Sequence, residues 1–117
     1  FSDNVGMIII PGKEGDIGIL PGHSKLLSSL RPGRLLIYDT TKNFIKSYFV
    51  SAGFVEVNPE KCIVLSEEVE EISNLDQSTI EQQLRNLENE NSKESQEKYL
   101  IAKSKIEALN STFYEKV

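Results

Sequence analysis

All seven glycines and all four prolines of this 117-residue chain fall before residue 60. Both residue types punctuate regular structure, so the chain reads as two parts built on different periodicities. In the first part, short runs rich in Val, Ile, Phe and Tyr occupy positions 5–10, 17–20, 34–38, 44–51, 54–57 and 62–65. Pro11-Gly12, Pro21-Gly22, Pro32-Gly33, the stretch 39–43 and Asn58-Pro59-Glu60-Lys61 separate them. Frequent turn signals between short strands predict an all-β sandwich or barrel. Two hairpins are expected, one joining 34–38 to 44–51 and one turning at Asn58-Pro59. Gly53 interrupts a strand pattern and marks a bulge or a corner.

Beyond Leu65 no glycine or proline remains. Glu67, Glu68, Glu70 and Glu71 read as a solvated acidic connector. Ile80, Leu84 and Leu87 then recur at helical spacing, with Asp76 or Ser78 as N-cap, the latter with Glu81 in a capping-box position. Tyr99, Ala102, Ile106, Leu109 and Phe113 form one stripe along a second helix, and the polar stretch 89–95 suits the turn between antiparallel helices. Helices of this length are marginal alone in water, so the stripe needs the first helix, the sandwich or another protein as cover. Arg85 is the only base between residues 66 and 91, whereas Lys93, Lys98, Lys103, Lys105 and Lys116 slightly outnumber the acids that follow. An acidic helix beside a basic one favours antiparallel pairing. The expected fold is α+β: an N-terminal β-sandwich over 1–72 and a C-terminal antiparallel α-helical hairpin over 73–117.

The net charge of −5 argues against nucleic acid as a partner. No apolar run approaches the roughly 20 residues of a membrane-spanning helix, so direct membrane insertion is not expected. No secretory signal is apparent. Cys62 is the single cysteine; it excludes an internal disulfide, fits a reducing compartment and reads as a small apolar strand residue. With one histidine and no metal-ligand spacing, neither a metal, a cofactor nor a catalytic triad is expected.

Within Glu14-Gly15-Asp16-Ile17-Gly18-Ile19-Leu20-Pro21-Gly22-His23 the glycines allow backbone geometry that side chains forbid, and Pro21-Gly22 marks a tight turn with His23 at its exit. This string, Leu30-Arg31-Pro32-Gly33, the run from Phe49 to Val57, and Leu75-Asp76 together resemble the epsilon subunit of F-type ATP synthases (delta in mitochondria). The resemblance implies a non-catalytic rotor subunit of the central stalk, linking the gamma subunit to the c-ring in proton-driven ATP synthesis. It makes Glu14, Asp16, Pro21, Gly22 and His23 partner contacts, although His23 also reads as a turn histidine satisfied by backbone groups. It makes the hairpin an inhibitor of ATP hydrolysis that, when extended, brings Lys98, Lys103 and Lys105 transiently to the alpha and beta catalytic subunits. A hairpin that only braces the sandwich is the alternative.

The implied location is peripheral, on the cytoplasmic face of a bacterial inner membrane or the matrix or stromal side in an organelle. Phe1 matches a position just after the family's first strand, which puts about one strand and a turn ahead of it. Two departures stand out. Ser24-Lys25 replaces a small residue and proline after the histidine. Thr79-Ile80 replaces the Arg-Ala of the ATP-binding members, leaving Asp76 as the one weak nucleotide contact, because the guanidinium that pairs with phosphate is missing. The competing reading is a β-sandwich adaptor with a coiled-coil-like helical tail, unrelated to ATP synthase.

Overall fold

The computed structural model describes residues 5–41, 43–90 and 92–110. Among the described residues eight strands precede the helices: β1 (Met7–Gly12), β2 (Gly15–Ile19), β3 (Leu26–Leu30), β4 (Gly33–Tyr38), β5 (Phe44–Val50), β6 (Gly53–Val57), β7 (Cys62–Ser66) and β8 (Val69–Glu71). A single 3-10 turn (Ile72–Asn74) leads to α1 (Gln77–Glu88) and α2 (Lys93–Asn110). The strands pair antiparallel in the order β7-β6-β3-β1-β4-β5-β8, with β2 also on β1. The α+β architecture is the one expected.

Strand β1 joins the two layers, pairing with β2 from Ile8 to Gly12 and with β4 from Met7 to Ile9, and reaching β3 through Gly12 and Leu30. The curled sheet encloses Ile10, Ile19, Leu30, Leu35, Ile37, Val50, Val55 and Val57, all buried. Alternation on β4 sends Leu35 and Ile37 into that core and Leu36 and Tyr38 to the opposite face, where they pack with Ile9. A continuous apolar run such as Leu35-Leu36-Ile37-Tyr38 is the mark of a strand covered on both sides.

Both predicted hairpins form, β4 with β5 and β6 with β7. Three details differ from expectation. Pro11-Gly12 belongs to β1, and the turn is Lys13-Glu14 with Gly12 opposite Gly15. The pair Ser28-Ser29 hid β3, which lines up along the whole of β6. The acidic connector is partly a strand: Glu70 and Glu71 in β8 face Phe49 and Tyr48 of β5. A three-residue charged strand at a sheet margin carries none of the apolar alternation by which strands are read.

Gly53 is neither a bulge nor a corner. It sits in regular register between Leu30 and Ser66, and a Cβ there would lie 1.9 Å from the Leu65 carbonyl oxygen. Pro21-Gly22 forms a type II turn: the His23 N–H donates to the Leu20 carbonyl at 3.1 Å, and Gly22 has φ +79°.

Asp76, not Ser78, caps α1, accepting from the Ser78 N–H at 3.0 Å. Helix α2 serves two neighbours, α1 and the outer face of the sheet, so its covered surface is wider than one stripe. Ser95, Ala102 and Ala108 are its buried residues, while Tyr99, Ile106 and Leu109 are half-buried. Ala108 packs with the fully buried Phe49 and with Ile72, ringed by Leu75, Ile101 and Leu109. Phe113 of the expected stripe lies outside the described residues.

Gly53→Ala should force β6 and β7 apart and cost about 1–3 kcal/mol, seen as a lower denaturant midpoint with an unchanged slope.

Candidate functional site

The five expected contact residues do not form one cluster. Glu14 and Asp16 lie at the β1–β2 turn, with Asp16 opposite Pro11. Pro21, Gly22 and His23 lie beyond the other end of β2, and at ~3.3 Å per residue the strand alone separates Asp16 from Ile19 by about 10 Å. Asp16 accepts from Arg31 at 2.5 Å, and the same guanidinium donates to the Gly12 carbonyl at 2.5 Å. This fork fixes the end of the β1–β2 hairpin against the loop after β3. His23 is half-buried and its Nδ1–H donates to the Ser24 carbonyl at 2.7 Å.

The three helix lysines also have different surroundings. Lys98 is exposed and pairs with Glu94 on its own helix at 3.2 Å. Lys103 is exposed. Lys105 instead turns toward the sandwich, its side chain only 14% exposed. Its Nζ donates to Glu68, lies 3.0 Å from Glu70 and stands 5.7 Å from the centre of the Phe49 ring. Burial pushes this ammonium down, but the hydrogen bonds and charges of Glu68 and Glu70 outweigh it and the net shift is upward.

Glu68 is itself held in place. Ser51 is buried; its N–H donates to the Ser66 hydroxyl and to the Glu68 carbonyl, each at 3.0 Å. The Glu68 N–H donates back to the Ser51 hydroxyl at 2.8 Å. This knot ties the β5–β6 corner to the β7–β8 corner.

Asp76 spends its carboxylate on the helix end, one oxygen accepting from Ser78 and the other from the Thr79 hydroxyl at 3.0 Å. Burial pushes the Cys62 thiol up, away from a reactive thiolate. Among the described residues no three His, Cys, Asp or Glu side chains converge as metal ligands.

An apolar surface on the outer face of β3, β6 and β7 was missed by motif reading. Ser29, Phe54 and Leu65 form one cross-strand row, and Leu27, Glu56 and Ile63 the next. Leu27 is 71% exposed, Leu65 65% and Phe54 56%. The signal was present: Phe54-Val55 and Ile63-Val64-Leu65 are apolar on both strand faces, yet only one face meets the core. A clustered patch of this kind marks a contact surface.

Residues 1–72 match the family model of the ATP synthase Delta/Epsilon chain, beta-sandwich domain. The chain belongs to the ATP synthase delta/epsilon family. It is 37% identical over 84 residues to the ATP synthase epsilon chain of Rhodospirillum rubrum, covering 72% of this chain and 62% of that one. The Chloroflexus aggregans epsilon chain is 42% identical over 83 residues, covering 70% and 58%. The chain thus spans about three fifths of the length of these curated relatives. A chain of the Euglena gracilis mitochondrial ATP synthase, solved as OSCP/F1/c-ring in rotational state 1, has the same fold. Its TM-score is 0.73 at 24% identity, over 90% of this chain and 68% of that one.

Asp76→Ala should cost about 1 kcal/mol through loss of the α1 cap, read as reduced helix content and earlier unfolding of the hairpin. A raised lysine pKa stabilises the docked hairpin fully below the ordinary value of 10.5 and ceases to do so as pH climbs through the folded value. A carbon-edited NMR titration of the Lys105 side chain should therefore find its midpoint above 10.5.

Proposed function

We propose that this chain is a non-catalytic subunit of the central stalk of an F-type ATP synthase, linking gamma to the c-ring at the coupling membrane. The observation that carries this reading is the match of residues 1–72 to the delta/epsilon sandwich. The exposed Leu27, Phe54 and Leu65 surface supplies the apolar area that a permanent seat on gamma requires. The turns holding Glu14 and Asp16 and holding Pro21, Gly22 and His23 present polar, mostly exposed groups suited to a sliding or torque-bearing contact with the c-ring. No bond chemistry is assigned to either.

The hairpin is the regulatory part. Docked on the sandwich it leaves the catalytic subunits alone; released, it offers Lys98, Lys103 and Lys105 to acidic surfaces of alpha and beta and restrains ATP hydrolysis. Among the described residues α2 meets the sheet through a small apolar cluster, which supports a reversible contact.

Binding to a gamma-containing subcomplex tests the assignment. The chain should co-purify with gamma, and Phe54→Asp with Leu65→Asp should weaken that binding at least about tenfold. Failure of the unmodified chain to bind gamma overturns the reading. Removal of residues 74–117 should leave gamma binding in place and raise the ATPase rate of the assembled enzyme; an unchanged rate makes the hairpin a brace.

A further inference from the structure

Among the described residues the contact that seats the hairpin is small and interrupted. Its apolar part is Ile101, Ala108 and Leu109 on Phe49, Ile72 and Leu75. Open clefts of about 780 Å³ and 190 Å³ border it, the larger reaching Glu68, Leu87, Ile101 and Lys105, the smaller Arg34, Leu36, Ser104 and Glu107. Within this thin contact sits a largely buried ammonium, that of Lys105, facing the Phe49 ring and two carboxylates.

Withdrawing an ammonium from water is costly and is offset only by well-placed opposite charge. Glu70 supplies one such charge from β8, and Glu68 a second from the turn fixed by Ser51 and Ser66. Losing either acid leaves the covered ammonium with less opposite charge around it and shifts the balance toward its return to solvent. Undocking frees Lys105 to join Lys98 and Lys103 on an exposed α2.

We infer that Lys105, Glu68 and Glu70 form a charge latch that sets how often the helical hairpin leaves the sandwich. Its use in restraining hydrolysis rests on the function proposed above, but the latch is a property of the isolated chain. An ionic latch between partly exposed acids and a covered lysine weakens as salt screens it, whereas a purely apolar seat does not. The Ser51–Ser66 knot is a positioning element, acting through Glu68.

Hydrogen exchange by mass spectrometry on the full chain tests this without any partner. Glu68→Lys combined with Glu70→Lys should speed exchange of the α1 and α2 amides at least about tenfold while β1, β4 and β5 stay protected, a tenfold change being an ordinary size for loss of a charge contact. Adding Lys105→Glu should bring the hairpin back to within about threefold of the unmodified protein, because the charges again alternate. In the unmodified chain, raising salt from about 50 mM to about 1 M should speed hairpin exchange selectively, and Lys105→Met should abolish that salt response.

A hairpin as protected in the acid-to-lysine variant as in the original overturns the latch. So does an unrestored triple variant with an intact sandwich. If the acid-to-lysine variant loses sandwich protection as well, the salt series on the unmodified chain decides, and a flat response overturns the proposal. Loss of gamma binding with a normal latch would remove only the rotor assignment; normal gamma binding without a latch would remove only this inference.

Discussion

Burial of β1 and β4 on both faces is the constraint on which the rest of this molecule depends. Ile10, Leu35 and Ile37 fill the interior, while Ile9, Leu36 and Tyr38 make the reverse side of the same strands apolar. Phe49 extends that reverse side onto β5, where it is fully covered. A sheet with two apolar faces is stabilised by whatever covers the outer one. The helical hairpin is therefore more than an appendage: α2 lies where the outer face of the sheet most needs cover.

The geometry separates two surfaces. Helix α2 occupies the outside of β4 and β5, and the exposed Leu27, Phe54 and Leu65 lie on the outside of β3 and β6–β7. These are different layers of the curled sheet, joined through β1. A partner seated on the β3–β6–β7 layer would leave the α2 contact on the other uncovered by it. At their junction the Ser51–Ser66–Glu68 hydrogen bonds connect the end of β7 to the turn that holds the Lys105 partner. Leu65 of the exposed row is the immediate neighbour of Ser66.

The strands with apolar content were legible because side-chain period and turn chemistry agree there. Leu35 to Tyr38, bounded by Pro32-Gly33 and Asp39, leaves little else possible. The helices were legible from spacing and from the absence of breakers, which narrowed the α1 cap to Asp76 or Ser78 without choosing between them. Strands β3 and β8 were not. Ser28 and Ser29 interrupt one, and Val69-Glu70-Glu71 carries too much charge for the other, so both depend on neighbours distant in sequence. The role of Lys105 was hidden for the same reason. A lysine midway along a helix reads as solvated until Glu68, Glu70 and Phe49 are brought to it across the fold. Asp16 and His23, close in sequence and sharing one conspicuous string, are held apart because a strand is the straightest path a chain can take.

Strand β8 has a second consequence. It closes the β4–β5 side of the sheet with only three residues, two of them glutamates, and Glu71 also pairs with Lys46 at 3.7 Å. A margin that short and that charged offers another chain no template on which to add strands. The acids that hold the helix thus also blunt this one margin of the sheet against edge-to-edge pairing. Substitutions that made β8 a better strand by removing Glu70 would loosen the hairpin and open that margin to pairing at once, because one side chain serves both the helix contact and the edge.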